Sequence, residues 1–125
     1  MTEPAPRTNW PHDVPDAQEL VEAVRDYLRD DLGPRAEGRD RFLVRVASNA
    51  LSIAAREIAA LPADAAAHAA RLAALGVDSE QALSTAITRG DLDERRAELA
   101  EVLWATTLDK LSVANPAYRD ESAEP

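Results

Sequence analysis

The chain has 125 residues, a formal net charge of −9 and no cysteine. That length suits one domain with a modest core, and the missing cysteines exclude a disulfide framework and thiolate chemistry. The acidic balance disfavours binding to phosphate backbones or to anionic lipid through a basic helix, so no nucleic-acid or membrane partner is expected.

Met1 to Pro15 carries Pro4, Pro6, Pro11 and Pro15, with Met1, Trp10 and Val14 as its large apolar residues. Prolines that dense deny a helix its donors, so residues 1–15 read as an extended or disordered lead. Trp10 either docks on the body of the protein or stays exposed; docking is slightly favoured. His12 stands alone and reads as a solvated side chain.

The helical body is expected over residues 16–115. Asp16, with Glu19 three residues on, has the spacing of a capping box. Leu20, Val21, Val24, Tyr27, Leu28 and Leu32 then form one apolar stripe, opposite Glu22, Arg25, Asp26, Arg29 and Asp30. Gly33-Pro34 should end this helix. The short link to about Gly38 makes helices one and two antiparallel neighbours.

Helix two is RDRFLVRVASNALSIAAREIAAL, Arg39 to Leu61, and the fold is organised around it. At 100° per residue its apolar positions span roughly 200°, about twice what a surface helix needs. It should therefore be covered on two sides. Arg45, Asn49, Ser52 and Arg56, spaced four, three and four, lie along the remaining polar strip. Asn49 either bonds to a neighbouring helix and fixes packing register or belongs to a contact surface along that strip. Glu57 projects inside the apolar arc. A carboxylate there needs a structural ion pair or a snorkelled position; a functional acid is the other reading, and nothing nearby supports it.

Pro62 should close helix two. An alanine-rich helix capped by Asp64 follows, with Leu72 and Leu75 as its large apolar residues and Gly76 as its stop. His68 in this segment reads as a surface or partly buried residue, because a metal site would need more ligands than the segment offers. Asp78 and Gln81 repeat the capping-box spacing before a short helix that ends at Gly90. Asp91 and Glu94 open the last helix, Leu92 to about Ala114. Leu99, Val102, Leu103, Thr106 and Val113 fill one side of it; Trp104, Leu108 and Leu111 fill the other. Lys110 falls beside Leu103 in the first arc, so Glu57 and Lys110 form a candidate buried charge pair. Asn115-Pro116 stops the helix, and residues 116–125 read as an acidic tail. The fold expected is all-α, a four- or five-helix antiparallel bundle.

Catalytic parts are missing. The glycines stand at 33, 38, 76 and 90, and no phosphate-cradling loop or dinucleotide fingerprint can be built from them. No metal site, cofactor site or catalytic triad is readable; Ser48 and Ser52 sit mid-helix, where hydroxyls bond backward to carbonyls. An independent enzyme is therefore not expected. No apolar run is long enough to span a membrane, and MTEPAPRTNW lacks a signal core, so a cytoplasmic location is expected.

Three segments, ELVEAVRDYL, RDRFLVRVASNALSIAARE and KLSVANPAY, together resemble a bacterial family filed as a domain of unknown function, DUF6285. The resemblance covers about Asp16 to Tyr118. It rests on Arg39, Phe42, Arg45, Asn49, Arg56 and Glu57 in helix two, and on Lys110, Leu111, Asn115, Pro116 and Tyr118. Leu43 departs from the family pattern, in which a His often follows the Phe. Members are usually encoded beside aminoglycoside-phosphotransferase-like kinases and acyl-CoA dehydrogenases. The resemblance implies a non-catalytic accessory subunit of such a kinase, acting on a hydroxyacyl-CoA or related small hydroxy acid. In that reading Arg45, Asn49, Ser52 and Arg56 are partner-binding candidates, and the arginines could meet a Coenzyme A phosphate. Two alternatives stay open: a homodimeric structural module using Trp104, Leu108 and Leu111, or a small acyl-CoA-binding or hydrolytic protein using Glu57.

Overall fold

The computed structural model describes Pro6 and residues 8 to 122, the side chains of Glu121 and Ser122 excepted. The protein is all-α: helices account for every regular element among the described residues. They are α1 (Ala17–Asp26), a π-helical segment (Tyr27–Leu32), α2 (Gly33–Arg35), α3 (Gly38–Ala74), α4 (Glu80–Arg89), a 3₁₀ turn (Asp93–Arg95), α5 (Arg96–Ala114) and α6 (Pro116–Ser122). The chain divides into two compact units, Met1–Ile58 and Ala59–Pro125.

In the first unit the described part of the proline-rich lead is non-helical, and Trp10 is 68% exposed rather than buried against a helix. α1 starts as its sequence requires. The Asp16 carboxylate accepts from the Glu19 amide at 2.9 Å, and the Asp16 amide donates to the Glu19 carboxylate at 3.3 Å. Two of the orphan donors of the first turn are thereby satisfied.

Gly33-Pro34 does not end this helix. The backbone widens into the π segment and runs on through Arg35. The Gly33 amide donates to the Leu28 carbonyl, five residues back. A proline cannot donate to the carbonyl four residues before it, and widening the helix by one residue accommodates that loss. The Arg35 guanidinium also donates to the Asp31 carbonyl at 3.1 Å. Gly33 has a second reason to be glycine: a Cβ there would sit 2.9 Å from the Leu28 carbonyl oxygen. The chain then turns at Gly38, whose φ is +57°, and folds the π segment back against the start of α3.

α3 is longer than expected. It runs through Pro62 and joins what the sequence suggests are two helices. The proline removes one backbone hydrogen bond, but the alanines on both sides are strong helix formers and keep the helix going. Asp64 is consequently inside a helix and not a cap.

The second unit holds the closed core. Leu72, Leu75, Leu83, Leu92 and Val102 are buried together, with Val77, Ala86 and Leu99 packed against them. Fully burying each such side chain contributes about 1.5–3 kcal/mol. Gly76 (φ +78°) and Gly90 (φ +80°) end α3 and α4 in the left-handed region that glycine tolerates. The α4 cap is Ser79, not Asp78: its hydroxyl accepts from the Ala82 amide at 3.0 Å. No side-chain cap opens α5, so the Asp91/Glu94 box is not formed; a 3₁₀ turn leads into the helix instead. Arg95 donates to the Ala74 carbonyl at 2.8 Å and to Glu98 at 2.6 Å, tying the end of α3 to the start of α5. Arg71 and Asp109 form a partly buried ion pair at 2.8 Å. His68 pairs with Glu80 at 3.0 Å, a structural use of that histidine. Pro116 opens α6 where a tail was expected; Ala123 to Pro125 of that tail lie outside the described residues.

Candidate functional site

The first unit builds an open cleft where the π segment meets α3. Leu28, Arg29, Gly33, Pro34, Arg41, Val44, Arg45 and Ser48 line it, and its volume is about 290 Å³. The geometry follows from the sequence. Gly33 faces the Val44 side chain of α3 across the cleft's edge. The four-residue spacings of Arg41, Arg45 and Asn49, and of Val44 and Ser48, put the arginines on the rim and Ser48 beneath them. Ser48 is 7% exposed, the only buried polar side chain among the described residues. The lining carries three arginines and no carboxylate. A second depression of about 490 Å³ lies on the other side of the same contact, bounded by Leu32, Arg35, Glu37, Asp40 and Leu43 among others. It mixes both signs of charge.

The arginines differ in how they are held. Arg29 is committed to Asp30 at 2.9 Å and to Asp26 at 3.1 Å. Its hydrogen bond to Asp30 holds that carboxyl below its usual range, with charge attraction adding to the effect. Arg41 and Arg45 have no ion pair among the described residues and are exposed.

The expected polar strip is present on one face of α3, with graded burial. Arg45 and Asn49 are exposed; Ser52 and Arg56 are half-buried. Ser52 donates to the Ser48 carbonyl at 3.2 Å, the backward bond expected of a mid-helix serine. So Arg45 belongs to the cleft, Ser52 is engaged within its own helix, and the cleft adds Arg29, Arg41 and Ser48, which strip reasoning missed. The Arg41–Arg45 spacing was a legible signal; the contribution of Arg29 depended on a helix continuing through Gly33-Pro34.

The inward charge expected at Glu57 and Lys110 is not found. Both side chains are exposed, so burial does not force a partner on either. The helical arc used to place them assumed that both sides of each helix are covered. In α3 one side is not: Phe42 is 62%, Val46 49% and Leu43 44% exposed. Along α1 and the π segment the apolar stripe splits. Val21, Leu28 and Leu32 are half-buried, while Leu20, Val24 and Tyr27 remain about half exposed at 54%, 52% and 49%. Gln18, Glu22 and Arg25 on the polar side are meanwhile half-buried. On α5, Trp104 is 51% exposed, whereas Leu108 and Leu111 are half-buried.

Among the described residues no group of three or more His, Asp or Glu side chains could hold a metal ion, and no helix is long and apolar enough to cross a membrane. What the fold and the cleft define is an all-α protein with an arginine-rimmed depression and outward-facing apolar stripes. The sequence pattern of the family described as "Domain of unknown function (DUF6285)" matches residues 34–118, and the chain belongs to that family. Comparison with curated proteins and with solved structures returned no match.

Proposed function

We propose that this protein is a non-catalytic accessory subunit that binds a phosphotransferase-type kinase acting on a hydroxyacyl-CoA or a related small hydroxy acid. The class of kinase comes from the family resemblance of the three segments quoted above. The observation that carries the partner-binding role is the outward apolar stripe on each of the first unit's two main helices. Six large apolar side chains, each about half exposed, present a few hundred Å² of apolar surface, more than singly scattered residues account for. α1 shows it best. A stripe of that amphipathicity ordinarily faces its own core, yet here Leu20, Val24 and Tyr27 face out. Helices of a partner laid along these stripes would cover them.

Co-expression tests this. The chain is produced with the aminoglycoside-phosphotransferase-like kinase encoded nearest to it, one partner is tagged, and the mixture is sized. The expected result is a stoichiometric complex that Phe42→Asp or Val24→Asp abolishes while the isolated variant keeps its helicity. A chain that elutes alone and leaves kinase activity unchanged overturns the reading. A self-associating module is the second reading. Trp104 at 51% and Leu103 at 43% exposure on α5 favour it. Sedimentation of the isolated chain, with Trp104→Ala beside it, separates the two.

A further inference from the structure

We propose that the cleft of Arg41, Arg45 and Ser48 is an anion site that takes the phosphoryl group of a small phosphate ester or diphosphate. Two separate observations point to a ligand. First, Arg41 and Arg45 stand one helical turn apart on the same face of α3, with no ion pair among the described residues. Like charges at that spacing repel. The chain has 23 acidic residues to 14 basic ones, so carboxylates were available to pair these arginines, as they pair Arg25, Arg29, Arg71 and Arg95. Second, the same cleft holds Ser48, the one buried polar side chain among the described residues, in a lining otherwise apolar apart from the arginines. A hydroxyl beneath two forked guanidinium groups suits an oxyanion, which can accept from all three.

The overall negative charge does not defeat this. At physiological ionic strength charges are screened over about 8 Å, so the ligand responds to the cleft lining and not to the distant acidic residues. Asp26 and Asp30 are already held by Arg29, and Glu37 and Asp40, the carboxylates nearest to Arg41 in sequence, line the neighbouring depression and not this cleft. Size also fits, since an open cleft of about 290 Å³ admits a diphosphate. A diphosphate is preferred to a dicarboxylate because it brings more negative charge and more acceptor oxygens to the two forks and the hydroxyl. Arg41, Arg45 and Ser48 lie on a different face of α3 from Phe42 and Val46, so the anion site is tested apart from the apolar stripe.

The test is calorimetric titration of the full chain with pyrophosphate, with malonate as a dicarboxylate of similar span, at about 0.15 M salt. Saturable pyrophosphate binding is expected, with malonate at least about tenfold weaker. Arg41→Ala and Arg45→Ala should each weaken pyrophosphate by about tenfold or more, and Arg45→Lys, which keeps the charge but not the fork, by an intermediate factor. Arg39→Ala, a cation on the same helix but outside the cleft, should change it less than about twofold. Circular dichroism of each variant verifies that the helices remain. Absence of saturable binding overturns the proposal. So does an equal loss in Arg39→Ala, which would mean surface charge alone, or equal binding of malonate.

Discussion

The stretches before and after Ile58 treat their apolar side chains in opposite ways. The second unit closes five of them into a core, Leu72, Leu75, Leu83, Leu92 and Val102. In the first unit the fully buried residues among those described are Ala55 and Ser48, and the large apolar side chains stay partly or largely exposed. Both units are helical, and both helices of the first unit are amphipathic enough to be packed. The difference teaches that amphipathicity tells a helix that it must be covered, but not by what. The second unit covers these five by itself, while Leu61, Leu103, Trp104 and Tyr118 stay exposed on it. The first carries its cover-seeking faces outward, and between them the polar cleft of Arg41, Arg45 and Ser48.

The largest expected effect tests whether the core really lies in the second unit. Leu83→Ala should lose about 2–5 kcal/mol of unfolding free energy, the cost of a cavity in a closed core. Phe42→Ala in the isolated chain should lose less than about 1 kcal/mol, because that ring is already mostly in water. Urea unfolding of the two variants checks the contrast. A Phe42→Ala loss equal to that of Leu83→Ala would mean that the first unit's stripe is covered in solution even without a partner.

A middle-sized effect concerns the π segment that borders the cleft. Gly33→Ala should cost about 1–3 kcal/mol, since its Cβ would press on the Leu28 carbonyl of the same helical run. The φ of Gly33 is −54°, so the penalty is steric and not conformational. Thermal denaturation measures it. A neutral Gly33→Ala would show that the π segment can shift and that the cleft is soft.

The smallest effect compares two capping patterns with the same Asp-x-x-Glu spacing. Asp16→Ala should destabilise by about 1 kcal/mol, because its carboxylate holds the Glu19 amide. Asp91→Ala should fall within about 0.5 kcal/mol, because no side-chain cap exists at the start of α5. Chemical denaturation of the pair decides whether the spacing or the bond carries the stability.

Local rules read much of this chain correctly. The Asp16–Glu19 box, the stops at Gly76 and Gly90 and the mid-helix Ser52 bond depend on atoms within five residues of each other, so residue type and spacing suffice. The proline rules misread two places. Pro34 and Pro62 each cost a helix one hydrogen bond, but at Pro34 a π turn absorbs the loss and at Pro62 flanking alanines outweigh it. Arg29 was missed as a cleft residue for that reason: it enters the site only because the helix does not stop at Gly33-Pro34. The expected inward charges at Glu57 and Lys110 failed for another reason, since a helical wheel assigns a side to each residue without saying which sides are covered.

The sequence by itself determined that the protein is helical, where most helices begin and end, and which residues share a face, because hydrogen-bond geometry and helical periodicity are properties of neighbours along the chain. The tertiary structure alone decided which of those faces are buried. It closed the leucines of the second unit, left Phe42, Val46 and the α1 stripe exposed, and brought Arg29 beside Arg41 and Arg45. Burial depends on what another segment places opposite a face, and one helix's periodicity carries no record of that.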